Sequence, residues 1–209
     1  MISDERQRLE KTPLAEKLGQ SDVSLLRRYQ EKTLGHSQLL PFLHYELANL
    51  LFGDVSGSVG YALRKIAYKG LFKQVAGGFI LGKGIVIRHP NRISLGRRVA
   101  IDDYVLLDAS GAGEAGIGIG DDVIISRNCV VQGKTGPVSI GHKTDLGCNV
   151  IISSGGGVVI GNSVLIAGNC YIGGGRYIAD RLDIPMMEQG VYTKGPVVIE
   201  DDVWLGAGS

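Results

Sequence analysis

The sequence lacks the features of nucleic-acid-binding, membrane-spanning or secreted proteins. Its 22 basic and 21 acidic residues leave a net charge of +1, which gives no overall attraction to nucleic acid. No apolar run reaches the roughly 18 residues of a transmembrane helix, and the charged start MISDERQRLE indicates no secretory signal peptide. These absences predict a cytoplasmic protein that binds no nucleic acid.

Cysteine is scarce. Cys129, Cys148 and Cys170 are an odd number of cysteines, and their spacing fits no metal-binding motif. We therefore expect free thiols in a reducing compartment and no bound metal.

Proline and aromatic residues are few, at 6 residues and 6%, whereas 32 residues are glycine, about twice the usual frequency. Collagen would need glycine at every third position with abundant proline, and disorder would need fewer apolar residues than the 44% present. Only 6 glycines lie in residues 1–70, and 26 lie in 71–209. The excess therefore indicates a tightly turning repeat after residue 70.

Residues 1–74 are predicted to form an α-helical region, with helices over 21–34, 37–52 and 58–73 and Ser21 as the first N-cap. The third segment, residues 58–73, contains four basic residues and no acidic residue. These basic residues either form a solvated face or make a weak contact with an anionic membrane surface or glycolipid. Those basic residues are Arg64, Lys65, Lys69 and Lys73. The apolar residues expected to pack on the next domain are Leu40, Leu43, Leu47, Leu50 and Leu51, then Val59, Ala62, Leu63, Ile66 and Ala67.

A six-residue repeat of aliphatic residues occupies positions 75–209. Its members, in groups of three, are Val75, Leu81 and Ile87; Leu95, Ile101 and Leu107; Ile119, Ile125 and Val131; Ile140, Leu146 and Ile152; Ile160, Ile166 and Ile172; and finally the pair Ile199 and Leu205. Extra residues fall only between groups, which predicts coils with three short strands each, stacked so that equivalent aliphatic residues form internal ladders. Glycine, asparagine and aspartate are expected to form the turns. Cys129 and Cys170 share the inward fifth position of the hexad and are predicted core residues, with Cys148 less buried.

This repeat resembles that of the hexapeptide-repeat acyltransferases, and the resemblance covers residues 75–209. It implies a mainly β fold, a left-handed parallel β-helix, here with an N-terminal α-helical cap. The run HPNRISLGRRVAIDDYVLLDAS is similar to the sugar acetyltransferase branch used in cell-surface polysaccharide synthesis. That likeness implies a homotrimer with active sites between subunits, and transfer from acetyl-CoA to a hydroxyl or amine of a sugar or glycolipid-linked acceptor.

A long insertion, GGGRYIADRLDIPMMEQGVYTKGPVV at residues 173–198, precedes IEDDVWLGAG and matches the family's active-site loop. The family's catalytic histidine, a general base, falls on Tyr177. A tyrosine side chain ordinarily has a pKa near 10, so it is a poor base at neutral pH. The resemblance gives substrate-binding candidates, Asn149, Arg176, Asp180, Asp183 and Glu188, and cofactor-binding candidates, Trp204, Gly206 and Ala207. The acids have a second interpretation as loop-ordering residues, Asn149 as a turn residue, and Trp204 as hydrophobic cover.

No other histidine replaces the missing base within one subunit. His89 lies at the same corner four coils earlier, about 19 Å away at the usual strand spacing, and His142 lies at another corner. Because the family continues beyond the position of Ser209, we expect a truncated C-terminus.

The predicted fold is compatible with three functions other than that of an active sugar acetyltransferase. The first is a catalytically inactive β-helix scaffold, and the second is a serine acetyltransferase-like enzyme, whose catalytic histidine would fall near Tyr104. The third, the carbonic anhydrase branch, requires three metal-binding histidines, whereas the predicted β-helix has only His89 and His142.

Overall fold

The computed structural model describes residues 7–9 and 24–209. Strand β1 (Gln7–Leu9) is followed by helices α1 (Leu25–Thr33), α2 (Leu39–Phe52) and α3 (Gly57–Lys69). The first two helices lie within the predicted segments 21–34 and 37–52, and α3 begins one residue before the predicted segment 58–73 and ends four residues before its end. Ser24 caps α1, because its hydroxyl accepts a hydrogen bond from the amide of Arg27 at 3.3 Å. The predicted cap, Ser21, lies outside the described residues.

Three parallel sheets form the sides of a β-helix. The first contains β2 (Gln74–Gly77), β5 (Ile93–Arg97), β8 (Ile117–Ile119), β11 (Val138–Ile140), β14 (Val158–Ile160) and β19 (Val197–Ile199). The second contains β3 (Ile80–Leu81), β6 (Ala100–Ile101), β9 (Ile124–Ile125), β12 (Asp145–Leu146), β15 (Leu165–Ile166) and β20 (Trp204–Leu205). The third contains β4 (Val86–Arg88), β7 (Leu106–Asp108), β10 (Val130–Gly133), β13 (Ile151–Ser154) and β16 (Tyr171–Gly173). A single turn of 3₁₀-helix (Pro90–Arg92) follows β4.

The strand register confirms the hexapeptide pattern and the predicted β-helix. Each aliphatic position pairs with its counterpart in the next coil, as in the first-sheet ladder of Val75, Leu95, Ile119, Ile140, Ile160 and Ile199. The second and third sheets hold equivalent ladders from Leu81 to Leu205 and from Ile87 to Ile172. Because burial of one aliphatic side chain contributes roughly 1.5–3 kcal/mol, the ladders supply much of the driving force for stacking.

The fifth hexad position also points inward, as predicted. Cys129 and Cys170 are buried, and Cys148 is exposed. Burial raises the pKa of the Cys129 thiol to about 11, and this thiol donates a hydrogen bond to the carbonyl of Gly147 at 3.0 Å. Cys129 and Cys170 are therefore core side chains.

Glycine was predicted to form the turns, but at many corners it instead allows neighbouring coils to approach closely. The fourth hexad position has a left-handed backbone, and nine non-glycine residues adopt it with φ between 55° and 61°, among them Arg98, Tyr104 and Lys143. The predicted asparagine and aspartate turns are present, but the repeated glycines sit two positions earlier. There a Cβ would collide with the next coil: at Gly141 it would lie 2.3 Å from the carbonyl oxygen of Gly161. Most of these glycines therefore permit close stacking of the coils.

Helix α2 packs on the β-helix through the face opposite to the predicted one. Tyr45 and Ala48 are buried, and the Tyr45 hydroxyl donates to the carbonyl of Ile87 at 2.8 Å. The leucines predicted to pack are exposed: Leu40 79%, Leu43 44%, Leu47 52%, Leu50 81% and Leu51 54%. Small Ala48 allows a close approach and Tyr45 supplies a hydrogen bond, so these two residues fix the buried face.

Helix α3 differs from the prediction in part: Ala67 packs against the core and Leu63 is half-buried, as predicted, but the other apolar residues face outward. Its buried residues are Gly60, Arg64 and Tyr68, whereas Val59 and Ile66 are 63% and 79% exposed. Arg64 was predicted on a solvated basic face, but its guanidinium donates to the carbonyls of Leu81 at 2.8 Å, Phe52 at 3.0 Å and Val55 at 2.7 Å. Gly60 makes room for the Val55 carbonyl that accepts from Arg64, since a Cβ at position 60 would lie 1.8 Å from that oxygen. Arg64 thus joins the two helices to the first coil.

Within residues 7–9 and 24–209, no helix combines the length and the apolar character that crossing a membrane requires.

Candidate functional site

The long loop leaves the β-helix after β16 and returns at β19. It contains β17 (Arg176–Tyr177), helix α4 (Met186–Gln189) and β18 (Val191–Thr193). Strand β18 pairs antiparallel with β17 on one side and with β1 on the other. The loop is therefore part of a three-stranded sheet outside the coils. The sequence reasoning did not anticipate the contribution of β1, because three residues carry no periodic signal.

Gln189 holds the turn of the loop together. This buried side chain accepts a hydrogen bond from the amide of Arg181 at 3.0 Å and donates to the carbonyls of Arg181 at 2.7 Å and Ile184 at 3.1 Å. The amide of Ile178 donates to the carbonyl of Gly190 at 2.9 Å. The sequence reasoning noted the run Glu188-Gln189-Gly190 only as a match to the family loop. The buried amide of Gln189 gives this run a physical function.

Tyr177 lies at the start of the loop, in register with Val191. Its side chain is 53% exposed, and the neighbouring Arg176 is also exposed. The phenol is therefore accessible to a substrate. No histidine lies in the loop, because the four histidines of the chain are His36, His44, His89 and His142.

His89 is a packing residue. It is buried with φ at 51°, its amide donates to the carbonyl of Thr33 at 2.6 Å, and its ring nitrogen Nε2 lies 3.0 Å from the carbonyl of Glu31. It follows β4, four strands from β16 in the third sheet, which is about 19 Å at the usual strand spacing. His142 lies at the first corner, where its Nδ1 accepts a hydrogen bond from the amide of Asp121 at 2.8 Å. Neither histidine belongs to the loop.

The acids of the loop differ in their surroundings. Asp183 pairs with Arg181, whose Nε donates to Oδ1 at 2.9 Å. This hydrogen bond lowers the pKa of Asp183, so Asp183 is a weaker base than an ordinary carboxylate and orders the loop. Asp180 and Glu188 are exposed and remain candidates for substrate contact.

Asn149 stands at the corner between the second and third sheets. Its φ is 60°, and its amide nitrogen donates to Oδ1 of Asn169 at 3.1 Å. Asn128, one coil earlier, has the same φ of 60°. The three residues form an asparagine ladder along this corner, which accounts for Asn149 without a ligand, whereas the loop leaves from the third corner.

Trp204 follows the loop on β20. It pairs with Leu165 of the preceding coil, and its indole is 75% exposed on the outer surface of the second sheet. Gly206 and the exposed Ala207 come next, and the carbonyl of Gly206 accepts a hydrogen bond from the Cys170 thiol at 3.0 Å. An exposed aromatic followed by small residues provides an apolar surface with accessible backbone.

Across the described residues, no group of three histidine, cysteine, aspartate or glutamate side chains could hold a metal ion. The candidate residues are a tyrosine, an arginine and carboxylates of the loop, and the exposed indole of Trp204 on the coil that comes next along the chain.

Fold and loop together define a hexapeptide-repeat β-helix protein with one elaborated corner. No family model matches the sequence. Over 88 residues the chain is 34% identical to the probable acetyltransferase Rv3034c of Mycobacterium tuberculosis, and the match spans 42% of this chain and 29% of that relative.

Solved structures that are similar to this chain include two acetyltransferases. The hexapeptide-repeat-containing acetyltransferase VCA0836 from Vibrio cholerae has a TM-score of 0.42 and 20% identity, covering 66% of this chain and 86% of that one. A galactoside acetyltransferase in complex with coenzyme A has a TM-score of 0.45 and 17% identity, covering 78% of this chain and 88% of that one.

Proposed function

We propose that the protein is an acetyltransferase that uses acetyl-CoA to acylate a hydroxyl or amine of a sugar in cell-surface polysaccharide biosynthesis. The observation that carries the proposal is the single elaborated corner: a regular β-helix is interrupted by one long, internally ordered loop that presents polar side chains. The relative from Mycobacterium tuberculosis, a probable acetyltransferase, supports the reaction class. The free cysteines support a reducing compartment, and we propose the cytoplasm.

In the proposed reaction, the acceptor oxygen or nitrogen attacks the thioester carbonyl of acetyl-CoA. The new C–O or C–N bond replaces the C–S bond, and the proton of the acceptor ends on the CoA sulfur. Arg176, Asp180 and Glu188 are proposed to contact the acceptor, while Asp183 keeps the loop ordered. Trp204, Gly206 and Ala207 are proposed to contact the CoA arm.

Tyr177 stands at the position of the family's general base, and a tyrosine is an inefficient general base at neutral pH. General-base assistance contributes roughly 10²- to 10⁴-fold to the rate, so the proposed enzyme is slow with tyrosine there. Attack by an unassisted acceptor is easier for an amine than for a hydroxyl, because an unprotonated amine is the stronger nucleophile.

We further propose a homotrimer. Four of the six outward positions of the second sheet carry large apolar side chains with large exposed fractions: Ile80 50%, Ile124 47%, Leu165 55% and Trp204 75%. Half-buried Ala100 and Asp145 occupy the other two. A neighbouring copy would cover this row and bring its own surface to the loop. Light scattering after size-exclusion chromatography gives the mass, and a monomer at micromolar concentration would contradict the trimer.

The test is acetyl-CoA turnover with a panel of sugar acceptors, measured as CoA thiol release and acetylated product. We expect Tyr177→His to raise turnover, by up to roughly 10²–10⁴-fold if the imidazole reaches the acceptor. Tyr61→His is the matched control, because Tyr61 is also exposed, at 36%, but lies on helix α3 outside the loop. Ordinary turnover by the wild type, together with a slower Tyr177→His variant, would refute the missing-base argument.

A second candidate is an inactive β-helix scaffold, which the tyrosine at position 177 favours. A scaffold would neither bind acetyl-CoA in calorimetry nor gain activity from Tyr177→His. The serine acetyltransferase-like alternative has less support, since the carboxylates before Tyr104 are engaged in the turn: Asp103 accepts a hydrogen bond from the amide of Lys83 at 2.8 Å, and Asp102 lies 3.6 Å from Arg127.

A further inference from the structure

The helical cap exposes a continuous apolar face on α2, which we call the leucine face. It consists of Leu39, Leu40, Leu43, Leu47, Leu50 and Leu51, each between 44% and 81% exposed. At 100° per residue these six side chains fall within one 120° sector, opposite Tyr45 and Ala48. Helix α2 is thus apolar on both sides, and the β-helix covers only one of them.

Helix α3 extends this surface. Val59, at 63% exposure, and Ile66, at 79%, lie with exposed Ala62 on the side of α3 away from buried Arg64 and Tyr68. The two helices pack against each other, with the Tyr68 hydroxyl donating to Oδ1 of Asn49 at 2.8 Å. Both apolar rows are therefore on the side of the helix pair that does not contact the β-helix.

Positive charge borders the apolar row of α3. Lys65 and Lys69 lie on its flank and are exposed, and residues 57–73 contain no aspartate or glutamate. A cavity of about 570 Å³ meets the leucine face at Leu40, and its lining includes Lys73 and His44. Both are engaged within the chain, since Nε2 of His44 lies 2.7 Å from the carbonyl of Ala67 and the ammonium of Lys73 donates to the carbonyl of Glu114 at 3.4 Å. The positive charge at the edge of the apolar surface therefore comes from Lys65 and Lys69.

Charge decides which partner this surface fits. Two acids lie beside this surface: Glu46, which accepts a hydrogen bond from the Tyr29 hydroxyl at 2.9 Å, and exposed Asp54 between α2 and α3. The row on α3 itself has only lysines beside it, so two copies packed through this row would bring lysines towards lysines. An anionic bilayer offers acyl chains to the leucines and phosphate oxygens to the lysines, the arrangement typical of helices that lie in the interface plane.

We propose that the leucine face of α2, with the outer row of α3 and Lys65 and Lys69 beside it, docks the protein on an anionic lipid bilayer. The helices lie in the plane of the interface, with the ammonium groups of Lys65 and Lys69 at the lipid headgroups. This inference is independent of the proposed acetyl transfer, since its measurement requires no turnover.

The test is flotation of the intact protein with vesicles of phosphatidylcholine alone or with about a third phosphatidylglycerol, at low and high salt. We expect binding to the anionic vesicles that weakens with salt. Because a lysine near an anionic surface contributes about a fivefold factor in binding, Lys65→Glu with Lys69→Glu should weaken binding by at least about 25-fold. Leu47→Gln with Leu50→Gln should abolish salt-resistant binding.

The matched control is Leu182→Gln, which alters a fully exposed leucine of the long loop, 102% accessible, and should leave flotation unchanged. Circular dichroism checks that each variant is folded. Failure to bind either vesicle, or equal flotation of the Leu47→Gln/Leu50→Gln variant, would overturn the proposal. If the lipid-free protein has a higher molecular mass in solution than the Leu47→Gln/Leu50→Gln variant, the leucine face would bind a second copy of the chain instead of a bilayer.

Discussion

Replacing Gly141 by alanine tests whether glycine is present to let neighbouring coils approach. A Cβ at this position would lie 2.3 Å from the Gly161 carbonyl oxygen and 2.8 Å from the Asn162 amide nitrogen. Ordinary contact begins at 3.4 Å, so the coils would have to separate locally by about 1 Å. The same movement stretches the hydrogen bond from the Gly141 amide to the Ile160 carbonyl, which is 2.8 Å long.

The expected cost follows from these two effects. Overpacking strain costs about 1–3 kcal/mol, and weakening one inter-coil hydrogen bond costs about 1 kcal/mol. We therefore expect Gly141→Ala to lower the free energy of unfolding by about 2–4 kcal/mol, a fall in Tm of about 4–15 °C. Thermal and urea unfolding followed by far-ultraviolet circular dichroism measure both quantities.

Gly118 provides a matched control on the same sheet. A Cβ there would have nothing within 4 Å, and its strand neighbours Ser94 and Ser139 already carry side chains. Gly118→Ala should stabilise the protein by up to about 1 kcal/mol through loss of unfolded-state entropy. Equal unfolding midpoints for the two variants would show that close stacking is not the reason for glycine at position 141.

Two further predictions concern buried polar groups. Arg64→Met should destabilise the protein by about 2–5 kcal/mol, because the carbonyls of Phe52, Val55 and Leu81 lose a charged donor. Lys65→Met on the exposed side should change stability by less than about 0.5 kcal/mol; similar unfolding midpoints would contradict the buried role of Arg64. In the native protein at pH 8, DTNB should react with one thiol, that of exposed Cys148, and with all three after unfolding. Burial raises the pKa of Cys129 to about 11, so its thiolate is scarce at that pH; equal reaction of three native thiols would disprove its core position.

The β-helix could be predicted in detail because its signal is periodic and local. Every aliphatic position identified from the sequence takes its expected place in a ladder, such as Leu146 between Ile125 and Ile166. The turn backbone was less predictable. The stacked coils hold residues such as Lys143 in a left-handed conformation that their side chains do not favour by themselves.

The helical cap could be predicted as helical but not in its orientation. Periodicity identifies the most apolar row of a helix and assigns it to the interior of the same chain. In α2 that row faces outward, because the side with Tyr45 and Ala48 offers a hydrogen bond and a close approach. The buried guanidinium of Arg64 was missed for a related reason, since its carbonyl partners come from segments that only the fold brings together.

The candidate loop was located correctly as an insertion, and its internal order could not be read from the sequence. The side-chain amide of Gln189 bonds to backbone groups eight and five residues earlier, a pattern with no periodic signature. Whether Tyr177, Arg176 and the loop acids act on a substrate stays a prediction that the turnover experiment addresses.

The pairing of β1 with β18 has a consequence for the order of folding. Neighbouring coils are joined by short stretches of chain, so the β-helix can nucleate at any coil and propagate with little loop-closure entropy. By contrast, Gln7 meets Thr193 across nearly the whole length of the chain. Such a contact forms late, because its loop-closure entropy is large until the intervening coils have folded and brought the two strands together. The sheet around Tyr177 is therefore completed last, once residues 7–9 have paired with residues 191–193.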